Sequence, residues 1–135
     1  MPIMKWDDSL SVGVREIDAQ HKTLIMNLNE LGEAMMQGKA NSMLKFLLNK
    51  LVGYTQMHFT TEEKYMTKWS FSGFAGHKAE HDAFVKKVAD FQKDYESGKQ
   101  MLSVEVLTFL KNWVANHIQV TDKKYGKFFN EHGLL

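Results

Sequence analysis

Beyond Pro2 the chain contains no proline, so residues 3–135 lack the one residue that stops a helix by removing an N–H and clashing with the preceding turn. Over most of that length apolar residues recur at three- and four-residue steps, the period of an amphipathic helix. An all-α fold is therefore expected. The pattern predicts an extended arm through about Ile17, then a helix that Asp18 can N-cap and Gly38 can end at its C′ position. Asn41 or Ser42 can cap a second helix, carried from Met43 to about Trp69, with Ser70–Phe74 as a loop. A third helix is expected from about Ala75 to Glu96, stopped by Ser97-Gly98. Ser103 can cap a fourth, running to about His117, with a short helical tail from Asp122 to Asn130. Helices of this length joined by short connections pack as an antiparallel up-down-up-down four-helix bundle. The expectation is one domain over residues 1–135, with an extended N-terminal arm and a short C-terminal helix.

Charge narrows the partners. Seventeen Lys and Arg stand against sixteen Asp and Glu, a net of +1. Nucleic-acid binders and polybasic membrane anchors need a basic excess that is missing here. No apolar run approaches the roughly 18 residues of a membrane span, and the start of the chain has no signal-peptide pattern, so a cytoplasmic protein is expected. The absence of cysteine excludes disulfides, thiolate metal sites, covalent haem attachment and a cysteine nucleophile.

Six histidines remain, and their phase is informative. Leu24, Ile25, Leu28, Leu31 and Met35 form the stripe of the first helix, and His21 extends it by one turn. Leu44, Leu47, Leu48 and Leu51 lead through Thr55 to His58 and Glu62. Phe84, Val88, Phe91 and Tyr95 continue backwards to His81 and His77, while Val106, Leu110 and Trp113 lead to His117. Each of the four stripes thus carries a histidine, whereas His132 lies in a polar tail and joins none. An unsatisfied buried polar group costs roughly 1–3 kcal/mol, so five such imidazoles need a common partner. In an up-down-up-down bundle all these positions come to one end, where a metal can satisfy them together.

Asp122 follows His117 by five residues, about 140° out of phase on a straight helix. Either it is an exposed N-cap of the tail, or the helix breaks and swings its carboxylate back to the metal. Five imidazoles and one or two carboxylates exceed the usual four ligands of zinc, and magnesium or calcium prefers oxygen alone. Imidazole with carboxylate suits iron, and carboxylates can bridge two ions, so a two-metal site follows. Lys78 stands where a zinc-protease motif needs glutamate, and no glutamate has a histidine three residues on. The carboxylate-rich site of ferritin-like bundles is therefore absent.

Gln20-His21-Lys22, His58-x-x-x-Glu62, His77-x-x-x-His81 and His117-x-x-x-x-Asp122 resemble the hemerythrin family. The resemblance runs over essentially the whole chain, including the Val12-Gly13 and Ile17-Asp18 lead-in of bacterial members. It implies that His77, His81 and His117 bind one non-haem iron and His21 and His58 a second. It further implies that Glu62 and Asp122 bridge the two, together with an oxo or hydroxo group. Six ligands then surround the first iron and five the second, leaving one position for dioxygen. The implied function is reversible oxygen binding for carriage, storage or delivery, with no catalytic residue. Two alternatives are a sensing domain acting through a signalling or oxygen-using protein partner, or excised from a chemoreceptor, and a di-iron oxidase or peroxidase. By the same resemblance Leu24, Phe59, Trp113, Val114 and Val120 wall a dry oxygen pocket, though bulky apolar residues in a bundle are core by default. Met26, Met35, Met57 and Met66 read as gap-filling core, and Lys86-Lys87 as a solvated face. His132 matches no ligand position, and the loop from Ser70 to Gly76 lacks the proline common in relatives.

Overall fold

The computed structural model describes residues 4–39, 41–96 and 104–135; side chains at 41, 94–96, 104, 105, 120 and 121 also lie outside the description. Among the described residues the chain is helical, with α1 at Arg15–Met36, α2 at Asn41–Lys68, α3 at Phe74–Glu96, α4 at Val104–Asn116 and α5 at Lys123–Glu131. A π-helical turn, His117–Asp122, joins α4 to α5 without a break. Helix α1 packs along α2 and α4, and α2 packs along α3. The proposed caps Ser97-Gly98 and Ser103 fall outside the described residues.

Two boundaries differ from expectation, each for a local reason. Helix α1 begins at Arg15 behind an extended Val14 that gives no side-chain cap. Asp18 therefore sits in the first turn and is not the N-cap. Its carboxylate instead accepts from the Val12 N–H at 2.9 Å and the Ser11 hydroxyl at 2.5 Å, fastening the arm. The arm is also tied by Asn29, which accepts from the Met4 N–H at 3.0 Å and donates to its carbonyl at 2.7 Å. At the other end Gly38 has φ +67°, with Lys39 N–H reaching Ala34 O and Gly38 N–H reaching Met35 O. That is the Schellman closure, and it needs the left-handed conformation that glycine adopts without a steric cost. The second departure is the stretch between α4 and the tail, which is wound as a π turn, so the short C-terminal helix expected from Asp122 to Asn130 is present as α5 and follows α4 without a break.

The interior falls into two apolar clusters with a polar layer between them. One cluster contains Leu24, Leu28, Leu31, Leu48, Leu51, Phe59, Phe84, Leu110 and Ile118. The other contains Val12, Val14, Ile17, Met66, Tyr125 and Phe129, with Tyr65, Trp69 and Phe128 against it. Along α1 the two clusters reach Ile17 and Leu24, and along α2 they reach Met66 and Phe59. His21 and Glu62 occupy the intervening turns and His58 lies at their edge, all fully buried. Met66 is buried and Met35 packs partly against the core, but Met26 and Met57 are 54% and 44% exposed. Those two lie on the outer faces of α1 and α2, so they are not core fillers.

Candidate metal centre

Four helices each bring one end of their apolar stripe to the polar layer. Helix α1 supplies His21 from its first turns, α2 supplies His58 and Glu62 from its later turns, and α3 supplies His77 and His81 from its start. His117 and Asp122 come from the two ends of the π turn. Because i→i+5 hydrogen bonding winds more residues into each turn, a five-residue step returns to nearly the same face. Asp122 is consequently 0% exposed and points inward, which removes the reading of it as an exposed cap.

The side chains form two overlapping groups. Glu62, His77, His81, His117 and Asp122 make one, and His21, His58, Glu62 and Asp122 make the other; within each, the potential ligand atoms lie within 4.8 Å of one another. Both carboxylates belong to both groups. Asp122 Oδ1 is 2.8 Å from His117 Nε2 and 2.9 Å from His77 Nε2, and Asp122 Oδ2 is 2.8 Å from His21 Nε2. Glu62 Oε2 is 2.8 Å from His77 Nε2, and Glu62 Oε1 is in close contact with His58 Nε2.

Burial pushes His58, His77, His81, His117, Glu62 and Asp122 toward their neutral forms, and neighbouring opposite charges pull the other way. Burial lowers His58, but Glu62 and Asp122 together raise it to about 9. The same opposition sets His77 at about 9 and His117 at about 10. Burial prevails at His81, which falls to about 4 because the pull of Glu62 is offset by the charges of His117 and His77. Burial and the adjacent Asp122 push Glu62 up, yet His58 and His117 hold it below the usual carboxylate range. Asp122 is likewise raised by burial and, more strongly, lowered by His117, His21 and His58.

The arrangement fits a cation better than a hydrogen-bond network. Nine buried side-chain polar atoms among the described residues have no hydrogen-bond partner, and seven of them belong to His21, His58, Glu62, His117 and Asp122. They approach one another closely without the alignment a hydrogen bond needs. His81 Nε2 and His117 Nε2 face each other at 3.1 Å, where one must carry a proton or both must point at a positive ion. An all-nitrogen-and-oxygen set of five imidazoles and two carboxylates matches first-row metals such as iron. The residues therefore fit a pair of metal ions.

The apolar residues around the layer differ in burial. Leu24, Phe59 and Val114 are buried, and Trp113 packs partly against the same cluster. Phe59 stacks on His81 at 3.8 Å and Trp113 stacks on His117 at 4.4 Å, so both rings lie against the three-imidazole group. The side chain of Val120 lies outside the described residues. His132 takes no part in the cluster. Its Nδ1 donates to the Phe128 carbonyl at 2.9 Å, and its ring stacks on Trp69.

Three contributors were not singled out as partners in the sequence. Gln20 Oε1 accepts from His58 Nδ1 at 2.6 Å, and Glu63 Oε2 accepts from His81 Nδ1 at 3.0 Å. Tyr125 is fully buried beside His77, ring to ring at 5.4 Å, and burial with the Asp122 and Glu62 charges holds its phenol well above its ordinary range. Gln20 and Glu63 adjoin His21 and Glu62 in sequence but serve histidines on a different helix, so helical spacing gives no sign of them.

Residues 12–129 match the family model described as the hemerythrin HHE cation binding domain. A bacteriohemerythrin of Methylococcus capsulatus is 36% identical over 127 residues, covering 93% of this chain and 96% of its own. A bacteriohemerythrin of Stenotrophomonas maltophilia is 33% identical over 134 residues, covering 98% of this chain and 85% of its own. The crystal structure of wild-type hemerythrin superposes with a TM-score of 0.88 at 36% identity, covering 93% of this chain and 96% of its own.

Proposed function

The chain belongs to the hemerythrin family, and on that basis we propose that it binds dioxygen reversibly at a non-haem di-iron centre, for carriage, storage or delivery. In this reading His77, His81 and His117 hold one iron, His21 and His58 hold the other, and Glu62 and Asp122 bridge them with an oxo or hydroxo group. The observation that carries it is the pair of overlapping ligand groups that share both carboxylates. When bound, the ferrous pair supplies the two electrons that dioxygen binding draws on and recovers them on release.

The protein's own part is geometric and electrostatic. The bundle fixes five Nε2 atoms on one buried layer before any metal arrives, so little ordering is left to do on binding. Gln20 and Glu63 hold the outer nitrogens of His58 and His81, which leaves Nε2 of each ring free to ligate. Leu24, Phe59, Trp113, Val114 and Val120 are proposed to line the dry side of the layer, where excluding water protects reduced iron. We read the chain as a binder of oxygen and not as an oxidase, because the Glu-x-x-His pairs of carboxylate-rich di-iron sites are absent from the sequence and the residues beside the ligands are apolar. Residues 1–135 are read as a single hemerythrin-like domain of the cytoplasm; among the described residues no helix is long and apolar enough to cross a membrane.

The test is anaerobic reduction, exposure to oxygen and then argon, with iron analysis alongside the visible spectrum. Two irons per chain and a colour that appears and disappears over repeated cycles are expected. One zinc per chain, or colour that does not return, would refute the proposal.

A further inference from the structure

The five imidazoles of the layer differ in what holds their outer nitrogens. His81 Nδ1 donates to a carboxylate, Glu63 Oε2, at 3.0 Å. Lys78 Nζ lies 3.6 Å from the other oxygen of that carboxylate. His58 Nδ1 donates to an amide, Gln20 Oε1, at 2.6 Å. The amide cannot turn round freely, because its NH2 donates to Thr61 Oγ1 at 3.3 Å and reaches Met57 Sδ at 3.9 Å. His117 Nδ1 has Glu80 Oε1 at 3.8 Å, beyond a hydrogen bond but close enough to feel its charge. His21 Nδ1 is buried with no hydrogen-bond partner. Among the described residues, the anionic partners of outer nitrogens all lie on the three-imidazole group.

The difference has a chemical consequence. A carboxylate that accepts the outer N–H pulls that proton toward itself, so the ring behaves partly as imidazolate and its Nε2 becomes a stronger donor to a metal. A neutral amide oxygen fixes the same tautomer and orientation but adds no charge. The first cation bound also neutralises part of the negative charge on Glu62 and Asp122, which both groups share, so the second position is filled against a weaker field.

Resting on the di-metal reading above, we propose that Glu63 is a positioning residue that makes the His77–His81–His117 position the tighter of the two. The centre therefore loads in order, this position first and His21–His58 second. Gln20, where a carboxylate would be sterically acceptable, keeps the second position weaker. The swap is also experimentally gentle. Glu63 is 23% exposed and borders a surface recess of about 250 Å³ with Gln56, Thr60 and Asp82, so its charge can be altered without opening the core.

The experiment is an anaerobic titration of the metal-free full chain with cobalt(II). Binding constants come from d–d absorption, and occupancy comes from the paramagnetically shifted N–H signals of the liganding imidazoles. Wild type is expected to take two equivalents, with the three-imidazole signals complete first. Glu63→Gln keeps the hydrogen bond but removes the charge, and should weaken the first constant about 10–100-fold while leaving the second alone. Gln20→Glu should strengthen the second constant and leave the first alone. Circular dichroism of each metal-free variant checks the fold; if Glu63→Gln fails to fold, Gln20→Glu decides alone. The inference is overturned if His21–His58 fills first, if the variants leave both constants unchanged, or if they change both equally. Uptake of a single equivalent by wild type would instead remove the di-metal reading, and this inference with it.

Discussion

Asp122→Asn removes one negative charge while preserving the shape of the side chain, and it tests the polar layer directly. The carboxylate is fully buried and lies within 2.8–2.9 Å of three imidazole Nε2 atoms, those of His21, His77 and His117, with His58 at 3.8 Å. In metal-free protein near neutral pH three of the surrounding imidazoles carry protons, since His58 and His77 sit at about 9 and His117 at about 10. Taking away one of the two carboxylates leaves three protonated imidazoles facing a single counter-charge in the interior, at a cost of roughly 3–5 kcal/mol. A raised imidazole value contributes stability that is complete below the unfolded value of 6.5 and fades as pH climbs through the folded one. The difference between wild type and Asp122→Asn should therefore be greatest near pH 6 and shrink steadily as pH passes about 9 to 10. At the acid end the depressed Asp122 contributes above its ordinary value of 3.8, and that share is lost as pH falls below it. Urea unfolding of the two metal-free proteins, followed by circular dichroism across this range, measures the gap. Equal midpoints near pH 6, or a gap that widens toward about pH 10, would refute the charge-paired layer. The iron-loaded variant should also hold fewer than two irons per chain, because a neutral amide is a poor bridge.

Three further outcomes are expected. Metal uptake near pH 7 must displace the protons of His58, His77 and His117, so about three protons per chain should be released from these rings, beside those that water gives up in forming a hydroxo or oxo bridge, and the imidazole share should fade above about pH 10. Calorimetry in buffers of different ionisation enthalpy counts them, and release of fewer than one would contradict the assignment. Gly126→Ala would place a Cβ 2.2 Å from the Val12 carbonyl oxygen, so the arm or α5 must shift. A loss of about 1–3 kcal/mol with unchanged iron content is expected, with the arm newly open to limited proteolysis. His132→Ala removes a ring stacked on Trp69 and packed at a tilt against Phe128 and should cost about 1 kcal/mol in thermal unfolding without altering iron content.

The bundle was legible because its information is periodic. The stripes on α1 to α4 and the glycine at position 38 depend on one repeat and one backbone preference, and both survive into the structure unchanged. Asp18 was misplaced because an acidic residue just before an apolar stripe has two uses. It can cap the helix from outside, or it can sit in the first turn and hold the preceding arm, as it does through Val12 and Ser11. Local sequence does not choose between them; the position of the arm does. Gln20 and Glu63 were missed for a related reason. Each acts across a helix interface, Gln20 from α1 to His58 on α2 and Glu63 from α2 to His81 on α3. Spacing within one helix carries nothing about such pairs.

Asp122 shows most clearly where helical arithmetic stops working and why. Counting at 3.6 residues per turn rotates its carboxylate away from His117, and no propensity in Ile118-Gln119-Val120-Thr121 signals otherwise. The chain instead winds six residues, His117–Asp122, into a π turn. Such turns are rare because they give up close packing along the helix axis, so one persists only where its surroundings require it. Here both ends are fixed by groups outside the turn. His117 is held between the Trp113 ring and the His77 and His81 imidazoles, and Asp122 between His21 and His77. Ile118 in one apolar cluster and Tyr125 in the other fix the chain on either side. A straight α-helix through the same residues would keep one of those sets of contacts and break the other. It would also turn a carboxylate away from at least two protonated imidazoles, which at roughly 3–5 kcal/mol outweighs the cost of one irregular turn. The irregularity therefore follows from the site's electrostatics, and the same five-residue spacing that looked out of phase is what brings the second shared carboxylate into the layer.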